Sequence, residues 1–395
     1  MILIVLFWIL LFIVVYTFVG YAMILWLLVK IKSILFPFKK LKFDETFEPE
    51  VCLFVTAFNE KDYIQQKVQN SFNLDYPKEK IQYVWITDGS NDGTPELLKK
   101  YDQLEVYHQP ERRGKMHAMN RGMKFVKAPI IIFSDTNTLL NKNAVREIVK
   151  RFSNAKVGCV AGEKRIIESE TESAAGAGEG LYWRFESWIK QLDSELNSAV
   201  GAVGELFAIR AELFEDVETD TLLDDFIISL RIAQKGYKIA YAPEAYAQEN
   251  ASLNVKEELK RKVRIAAGGV QTIVRLGSLL NIFRNGWLSW QYFSHKVLRW
   301  TVTPLALFLL YFVNLGIVLK KGNFQPTDFY TVFLCLQTLC YFIALFGWYF
   351  ENKKIRLKFF FAPYYFVMFN LASIRGIFRY IKGKQAVTWE KSKRA

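Results

Sequence analysis

No charged residue occurs in 1–29 of this 395-residue chain. A helix needs about 20 apolar residues to cross a bilayer core, so this stretch is long enough to span. A cleaved secretory signal needs a charged start and an apolar core of about 7–15 residues before a small-residue cleavage site. The stretch has none of these, which favours an anchor. Cysteine is scarce too, with four in all and no C-x-x-C spacing. Neither a zinc site nor a disulfide framework is indicated. Cys335 and Cys340 sit in an apolar run, and Cys52 and Cys159 in separate strand-like runs. Histidine numbers only three. His108 and His295 have no carboxylate or cysteine at ligand spacing, and His117 reads as a helix-face residue. Internal repeats and long low-complexity linkers are missing as well.

What is abundant is apolar and aromatic surface: 51% hydrophobic residues and 16% aromatic, with 33 phenylalanines. Beyond 1–29, the stretches 301–319 and 329–350 are uncharged and long enough to span. The shorter 359–374 contains Pro363 and lies between Lys358 and Arg375. A kinked span, a re-entrant segment and an interfacial segment are all open for it. The net charge of +13 gathers beside these stretches, at Lys30, Lys32, Lys39 and Lys40, then from Lys353 to Lys358, and again from Arg375 to Arg394. Basic flanks mark the cytoplasmic side of a membrane. A cytoplasmic tail requires that 359–374 does not cross, which favours the re-entrant or interfacial placement. Because the charge follows the membrane ends, nucleic acid is not the indicated partner. A transporter is disfavoured by the small number of spans and by their lack of ionisable residues. The expected organisation is an N-terminal transmembrane helix at 1–30, a cytoplasmic domain at 48–283, and interfacial and transmembrane helices with a basic tail at 284–395.

The middle has a different pattern. Val51–Ala57, 82–87, 104–108 and 129–134 read as strands. Helical stretches follow from Asp62, from Lys115 to Val126 and from Asn143. Such alternation predicts an α/β domain with a mainly parallel sheet, whose ligands bind at the carboxyl ends of strands. In 181–196 the apolar residues Leu181, Phe185, Trp188, Leu192 and Leu196 fall on one helical face. That face suits packing on the domain or lying at the membrane interface.

Polar clusters follow the strands. Thr56-Ala57-Phe58-Asn59-Glu60 comes after the first, and Asp88-Gly89-Ser90-Asn91-Asp92-Gly93-Thr94 after the second. Turn formation alone explains Asp, Asn and Gly there. Gly114-Lys115 opens a helix, where free N–H groups and an ammonium suit a diphosphate. Ser134-Asp135-Thr136-Asn137 follows the fourth strand. In an extended segment Asp135 and Asn137 share one side, and both offer oxygen to a hard cation. Mg²⁺ or Mn²⁺ is commonly held by one or two carboxylates and substrate phosphate. An N-cap or turn role is the plainer alternative. Asp224-Asp225, between Leu223 and Phe226, suits a helix dipole or a general base. Arg261-Lys262-Val263-Arg264-Ile265 is either an exposed charged face or a positive wall for phosphates.

In this order the clusters resemble family 2 glycosyltransferases of GT-A fold, in particular the membrane branch of cellulose, hyaluronan and poly-N-acetylglucosamine synthases. The resemblance runs from about Val51 to Pro304. It includes Gly201-Ala202-Val203-Gly204-Glu205, similar to an acceptor-side segment, as well as Ser294-His295-Lys296, Arg299-Trp300 and the tail residues Trp389 and Arg394. It implies an inverting transferase, metal-dependent through Mg²⁺ or Mn²⁺, with a nucleotide-sugar donor carried on UDP. The acceptor it implies is a polysaccharide or a lipid-linked glycan, and the setting is a cell membrane. Thr56, Asn59, Glu60, Asp88, Lys115, Asp135, Arg261 and Arg264 would serve the donor. Gly201, Gly204 and Glu205 would serve the acceptor, Asp135 and Asn137 the metal. Asp225, with Asp224 beside it, would be the base. Three residues depart from the pattern. Asn137 replaces the last Asp of D-x-D, Asp224 replaces Glu, and Arg261 and Ile265 stand where Q-x-x-R-W has Gln and Trp. Without that Trp, chain extension is in question, and transfer of one sugar to a lipid carrier is the alternative. Trp287 and Trp290 are candidate substitutes. An inactive scaffold subunit is a further alternative, opposed by the joint presence of Asp88, Asp135 and Asp225.

Overall fold

The computed structural model describes residues 1–36, 43–167, 174–250, 252, 254–322, 324–352 and 358–383. Trp389, Arg394 and the basic residues Lys39, Lys40, Lys353, Lys354, Arg356, Lys384, Lys391 and Lys393 lie outside them.

Eight strands form one sheet: β1 (Val51–Ala57), β2 (Ile81–Asp88), β3 (Glu105–Gln109), β4 (Ile130–Asp135), β5 (Leu139–Leu140), β6 (Val157–Ile167), β7 (Leu206–Arg210) and β8 (Lys238–Asn250). Their order is β3-β2-β1-β4-β7-β6-β8-β5. The pairs β1–β2, β1–β4, β2–β3 and β6–β8 are parallel, and β7 and β5 pair antiparallel. The sheet is therefore mixed and mainly parallel. All seven residues of β1 are buried, which is why it reads as a continuous apolar run rather than an alternation. Cys52 and Phe54 face one core, with Ile86, Phe133, Phe207 and Phe226. Val51, Leu53 and Val55 face the other, with Trp85, Ile132, Ile148 and Phe152. Tyr292 and Val297, far along the chain, belong to the first core.

Among the described residues, three helices are long and apolar enough to cross a membrane: Ile2–Leu35, Val302–Lys321 and Phe329–Phe350. The first widens into one π-type turn at Tyr16–Gly20 and has two partners. Phe7 and Leu10 pack with Ala306, Leu310 and Ile317 of the second apolar helix. Tyr21, Ala22 and Leu25 pack with Ile189, Leu192 and Leu196 of helix Ala174–Leu196. The amphipathic face predicted for 181–196 thus packs on the first apolar helix through Phe185, Leu192 and Leu196, while Trp188 remains 41% exposed and the Leu181 side chain lies outside the described residues.

The stretch 359–374 lies inside one helix, Lys358–Ile381, which continues past Pro363. Among the described residues it is not one of the helices apolar enough to span. Instead it packs against helix Val255–Arg275. A methyl group on Gly376 would come within 2.8 Å of the Ala267 backbone nitrogen, so the two helices approach backbone to backbone.

Candidate active site

Parallel register aligns the ends of three strands. Thr56 of β1 lies opposite Asp135 of β4, and Ala57 opposite Thr87 of β2. Beyond β2, Asp88 accepts hydrogen bonds from the backbone N–H groups of Arg113 (3.0 Å) and Gly114 (2.7 Å). These bonds fix the turn that starts helix Lys115–Gly122. Gly114 has φ +98°, a conformation with little cost for glycine alone. Lys115 is thereby aimed across the sheet. Its Nζ lies 3.0 Å from Asp135 Oδ1 and 3.0 Å from Asp224 Oδ2. One ammonium thus joins a strand end to the first turn of helix Asp224–Gln234.

The expectation of an extended Asp135-x-Asn137 is corrected. The strand stops at Asp135, and Thr136 and Asn137 form a turn. The Thr136 hydroxyl donates to the Thr56 carbonyl (2.9 Å) and the Thr138 hydroxyl to the Asp135 carbonyl (2.9 Å). These bonds bend the chain away from the ladder. Below the turn, the fully buried Lys67 donates to Ser134 Oγ (2.6 Å) and to the Thr138 carbonyl (2.8 Å). Burial pushes its ammonium down to about 7. Asn137 Nδ2 donates to Glu249 Oε1 at 3.1 Å, leaving its amide oxygen as the ligand-forming atom.

A cavity of about 800 Å³ opens at this edge of the sheet. Glu60, Lys115, Asp135, Asn137, Gly204, Glu205, Asp224, Asp225, Arg261 and Arg264 all border it. Thr56 and Asp88 border a smaller recess, with Phe58 and Arg112, and Lys115 reaches both. The Arg112 guanidinium stacks 3.9 Å from the Phe58 ring centroid. Asn59 borders neither space. It takes φ 52° and exchanges hydrogen bonds with Asn91, at 3.1 and 3.0 Å. Gly201, at φ +86°, lies under the Phe226 ring. At Gly204 an added methyl would sit 3.6 Å from the Asp225 carboxylate.

Burial raises the Asp225 carboxyl to about 7, helped by the neighbouring Asp224 charge. Burial also raises Asp135, against the pull of Lys115. For Lys115 burial acts downward, but Asp135 and Asp224 together hold its ammonium well above the usual range. Glu205 is the reverse case. Burial would raise it, yet the Lys164 ammonium, 2.6 Å away, keeps it low. Lys164 also pairs with Glu249, so Asn137, Glu249, Lys164 and Glu205 form one chain of contacts. Arg261 is committed to Glu258, through Nε (2.9 Å) and Nη2 (3.0 Å). Arg264 makes no hydrogen bond or ion pair among the described residues. Burial lowers its guanidinium.

Sequence reasoning missed several of these residues. Lys164 and Glu249 lie on β6 and β8, strands with no local signal strong enough to find them. Neither Trp287 nor Trp290 replaces the aromatic lost at Ile265. Trp290 donates to the Tyr16 hydroxyl (3.0 Å), and Trp287 is 52% exposed. The tryptophans bordering the cavity are Trp183 and Trp300, and Trp300 packs edge-on against Phe226 at 5.1 Å. His295, which has no carboxylate near it in sequence, lies between Asp193 Oδ2 (2.7 Å) and Glu186 Oε1 (3.2 Å).

Residues 52–218 match the family model for glycosyl transferase family 2. Poly-beta-1,6-N-acetyl-D-glucosamine synthase from Staphylococcus aureus (strain MSSA476) is 26% identical over 233 residues, which cover 57% of this chain and 56% of that protein. The same synthase from Staphylococcus epidermidis is 26% identical over 234 residues, with the same coverage. The match thus spans little more than half the length of these relatives. In fold, the chain is similar to the mannosyltransferase PcManGT from Pyrobaculum calidifontis, solved in complex with GDP-Man and Mn²⁺. The TM-score is 0.72 at 20% identity, over 96% of this chain and 99% of that one. Sheet order, strand-end site and family match converge: residues 52–218 are similar to glycosyl transferase family 2, and the chain has a GT-A-like fold joined to apolar helices at its N-terminal and C-terminal regions.

Proposed function

We propose that the protein is an inverting glycosyltransferase that moves a sugar from a nucleotide donor to a polysaccharide or lipid-linked glycan at a membrane. The observation that carries this reading is the meeting of Lys115, Asp135, Asp224, Asp225 and Arg264 on one cavity. Asp225 would accept the proton of the acceptor hydroxyl as its oxygen attacks the anomeric carbon. A carboxyl poised near 7 is well matched to that task. Gly204 keeps the space in front of this carboxylate open. Lys115 and Arg264 would bind the diphosphate and balance the charge that builds on it as the bond to the sugar breaks. In the free protein Lys115 is held by Asp135 and Asp224, so donor binding exchanges carboxylate partners for phosphate. Glu60 and Asp88 would lie towards the nucleoside, Asp88 acting through the 113–114 backbone it holds. Arg261 would act indirectly, by fixing the wall that carries Arg264.

The residues present suit Mg²⁺ or Mn²⁺. Asp135 offers a carboxylate, Asn137 an amide oxygen, and the Lys115 ammonium already marks a cation position beside Asp135. Such an ion, when bound, polarises the phosphate oxygens of the leaving nucleotide. UDP is the carrier suggested by the resemblance to polysaccharide synthases.

The membrane setting is multi-pass with the catalytic domain cytoplasmic. In support, Lys32, at the basic end of the first apolar helix, donates to the carbonyls of Glu195 and Leu196, each at 2.6 Å. The domain thus sits on the positively flanked side. Transfer of a single sugar is the second reading, favoured by the aliphatic Ile265 on the cavity wall. Incubating the purified full-length chain with UDP- and GDP-sugars, with and without Mn²⁺ or Mg²⁺, tests the proposal. Metal-dependent release of nucleoside diphosphate is the expected outcome. Its absence with every donor, despite nucleotide binding, favours an inactive subunit. A ladder of products supports polymer extension, and one discrete product supports single transfer.

A further inference from the structure

Glu186 and Lys190 lie one turn apart on helix Ala174–Leu196, and both border the cavity. Glu186 is fully engaged. It pairs with Lys296, with Arg299 Nη1 (3.0 Å) and with His295 Nε2 (3.2 Å). Lys190 is left over. Only 5% of it is exposed, yet among the described residues it has no carboxylate within ion-pairing distance and no hydrogen bond. A buried ammonium without an anion is costly. It faces the Trp183 ring, 5.7 Å away, and Lys262 lies 5.4 Å from the same ring; the Glu186, Asp225 and Glu205 carboxylates act on Lys190 only from beyond ion-pairing distance.

The cations assigned to the donor in the proposed transfer are Lys115 and Arg264, so Lys190 is not among those the reaction already uses. A second basic element borders the same cavity. Helix Lys358–Ile381 contributes Ser373, Arg375 and Arg379, and neither arginine has an acidic partner among the described residues. That helix follows the apolar helix Phe329–Phe350 in sequence and places this edge of the cavity beside the membrane-crossing part of the fold.

We propose that the acceptor carries an anionic group of the phosphate class, seated on Lys190 beside Trp183 and drawn in past Arg375 and Arg379, as the headgroup of a lipid-linked glycan would be. This deepens the transferase reading and rests on it for the word acceptor, but the anion site itself is testable without turnover. Phosphate oxygens accept hydrogen bonds from ammonium and guanidinium groups well. The apolar chain of such a lipid would remain with the membrane helices.

The test is equilibrium binding of radiolabelled dodecyl phosphate to the full-length protein in neutral-detergent micelles, with nucleotide binding measured separately on the same samples. Saturable binding is expected, weakened on the order of tenfold by Lys190→Gln and largely kept by Lys190→Arg, as loss of one charge-assisted hydrogen bond implies. The double change Arg375→Gln with Arg379→Gln alters side chains at the cavity mouth and should weaken binding by about threefold or more. It also keeps the idea testable if Lys190→Gln does not fold. Binding unchanged in the variants overturns the proposal, as does full competition by the uncharged dodecyl alcohol. Inorganic phosphate competing as strongly as dodecyl phosphate overturns the lipid source. Failure of the transferase reading would appear separately, as absent nucleotide binding with the dodecyl phosphate site intact.

Discussion

In the proposed transfer, Lys115 and Asp225 would set the chemistry at the residue scale. Lys115 is pinned by two carboxylates at 3.0 Å each. Lys115→Met should therefore bring Asp135 and Asp224 into unscreened repulsion, lower the melting temperature and raise the donor KM by on the order of tenfold or more. Lys115→Arg should restore stability more than activity, since its fork differs in shape from an ammonium. Asp225 predicts a pH profile. If it is the base, kcat/KM falls as pH drops below about 7, where the carboxyl takes up a proton. The same shift has a consequence for stability. The folded state holds this proton more tightly than the unfolded chain, so its contribution to stability falls as pH rises from about 4 to about 7 and stays low above that. Asp225→Asn removes that penalty, so thermal unfolding at pH 8 should occur at a higher temperature in the variant than in the wild type.

At the scale of elements, legibility followed burial pattern and locality. β1 to β4 were readable because each is a short apolar run ending in turn residues, and their polar ends lay where a parallel sheet puts ligands. β6 to β8 were not. β6 and β8 carry Lys164 and Glu249, buried in contact with each other across the sheet, with Glu205 a second partner of Lys164. No local pattern signals that. The Asp135-x-Asn137 geometry was misread because threonine hydroxyls, not strand pleat, set the chain path there. Helix Ala174–Leu196 was legible as amphipathic but not as the seat for the first apolar helix. That contact rests on Asp193, which accepts from Tyr21, Gln291 (3.0 Å) and His295 (2.7 Å). Asp193→Ala strands three buried polar groups, so destabilisation of about 3 kcal/mol is expected from denaturant unfolding in micelles. Asp193→Asn, which keeps hydrogen-bonding atoms, should cost less.

On the scale of the whole molecule, the apolar helices are packed into the rest of the fold rather than appended to it. Tyr16 and Thr17 of the first helix bond Ser294 (2.7 Å) and Thr303 (2.8 Å). Tyr292 and Val297, on either side of Ser294, belong to the core under the sheet. The first apolar helix, the α/β domain and the C-terminal helices therefore share one packed body. The cavity is walled by strand ends on one side and by helix Lys358–Ile381 on another. Truncation before residue 284 would expose Phe226 and open the cavity, so the isolated middle should aggregate or fail to bind nucleotide, as read by size exclusion and nucleotide titration.

Separating binding from turnover tests the central claim most directly. Nucleotide-sugar affinity and product formation should be measured side by side for the wild-type chain and Asp225→Asn in the presence of Mn²⁺. The account predicts donor affinity within about threefold of wild type and transfer reduced by at least about 10²-fold, the usual worth of a general base. Near-normal transfer by the variant would contradict it.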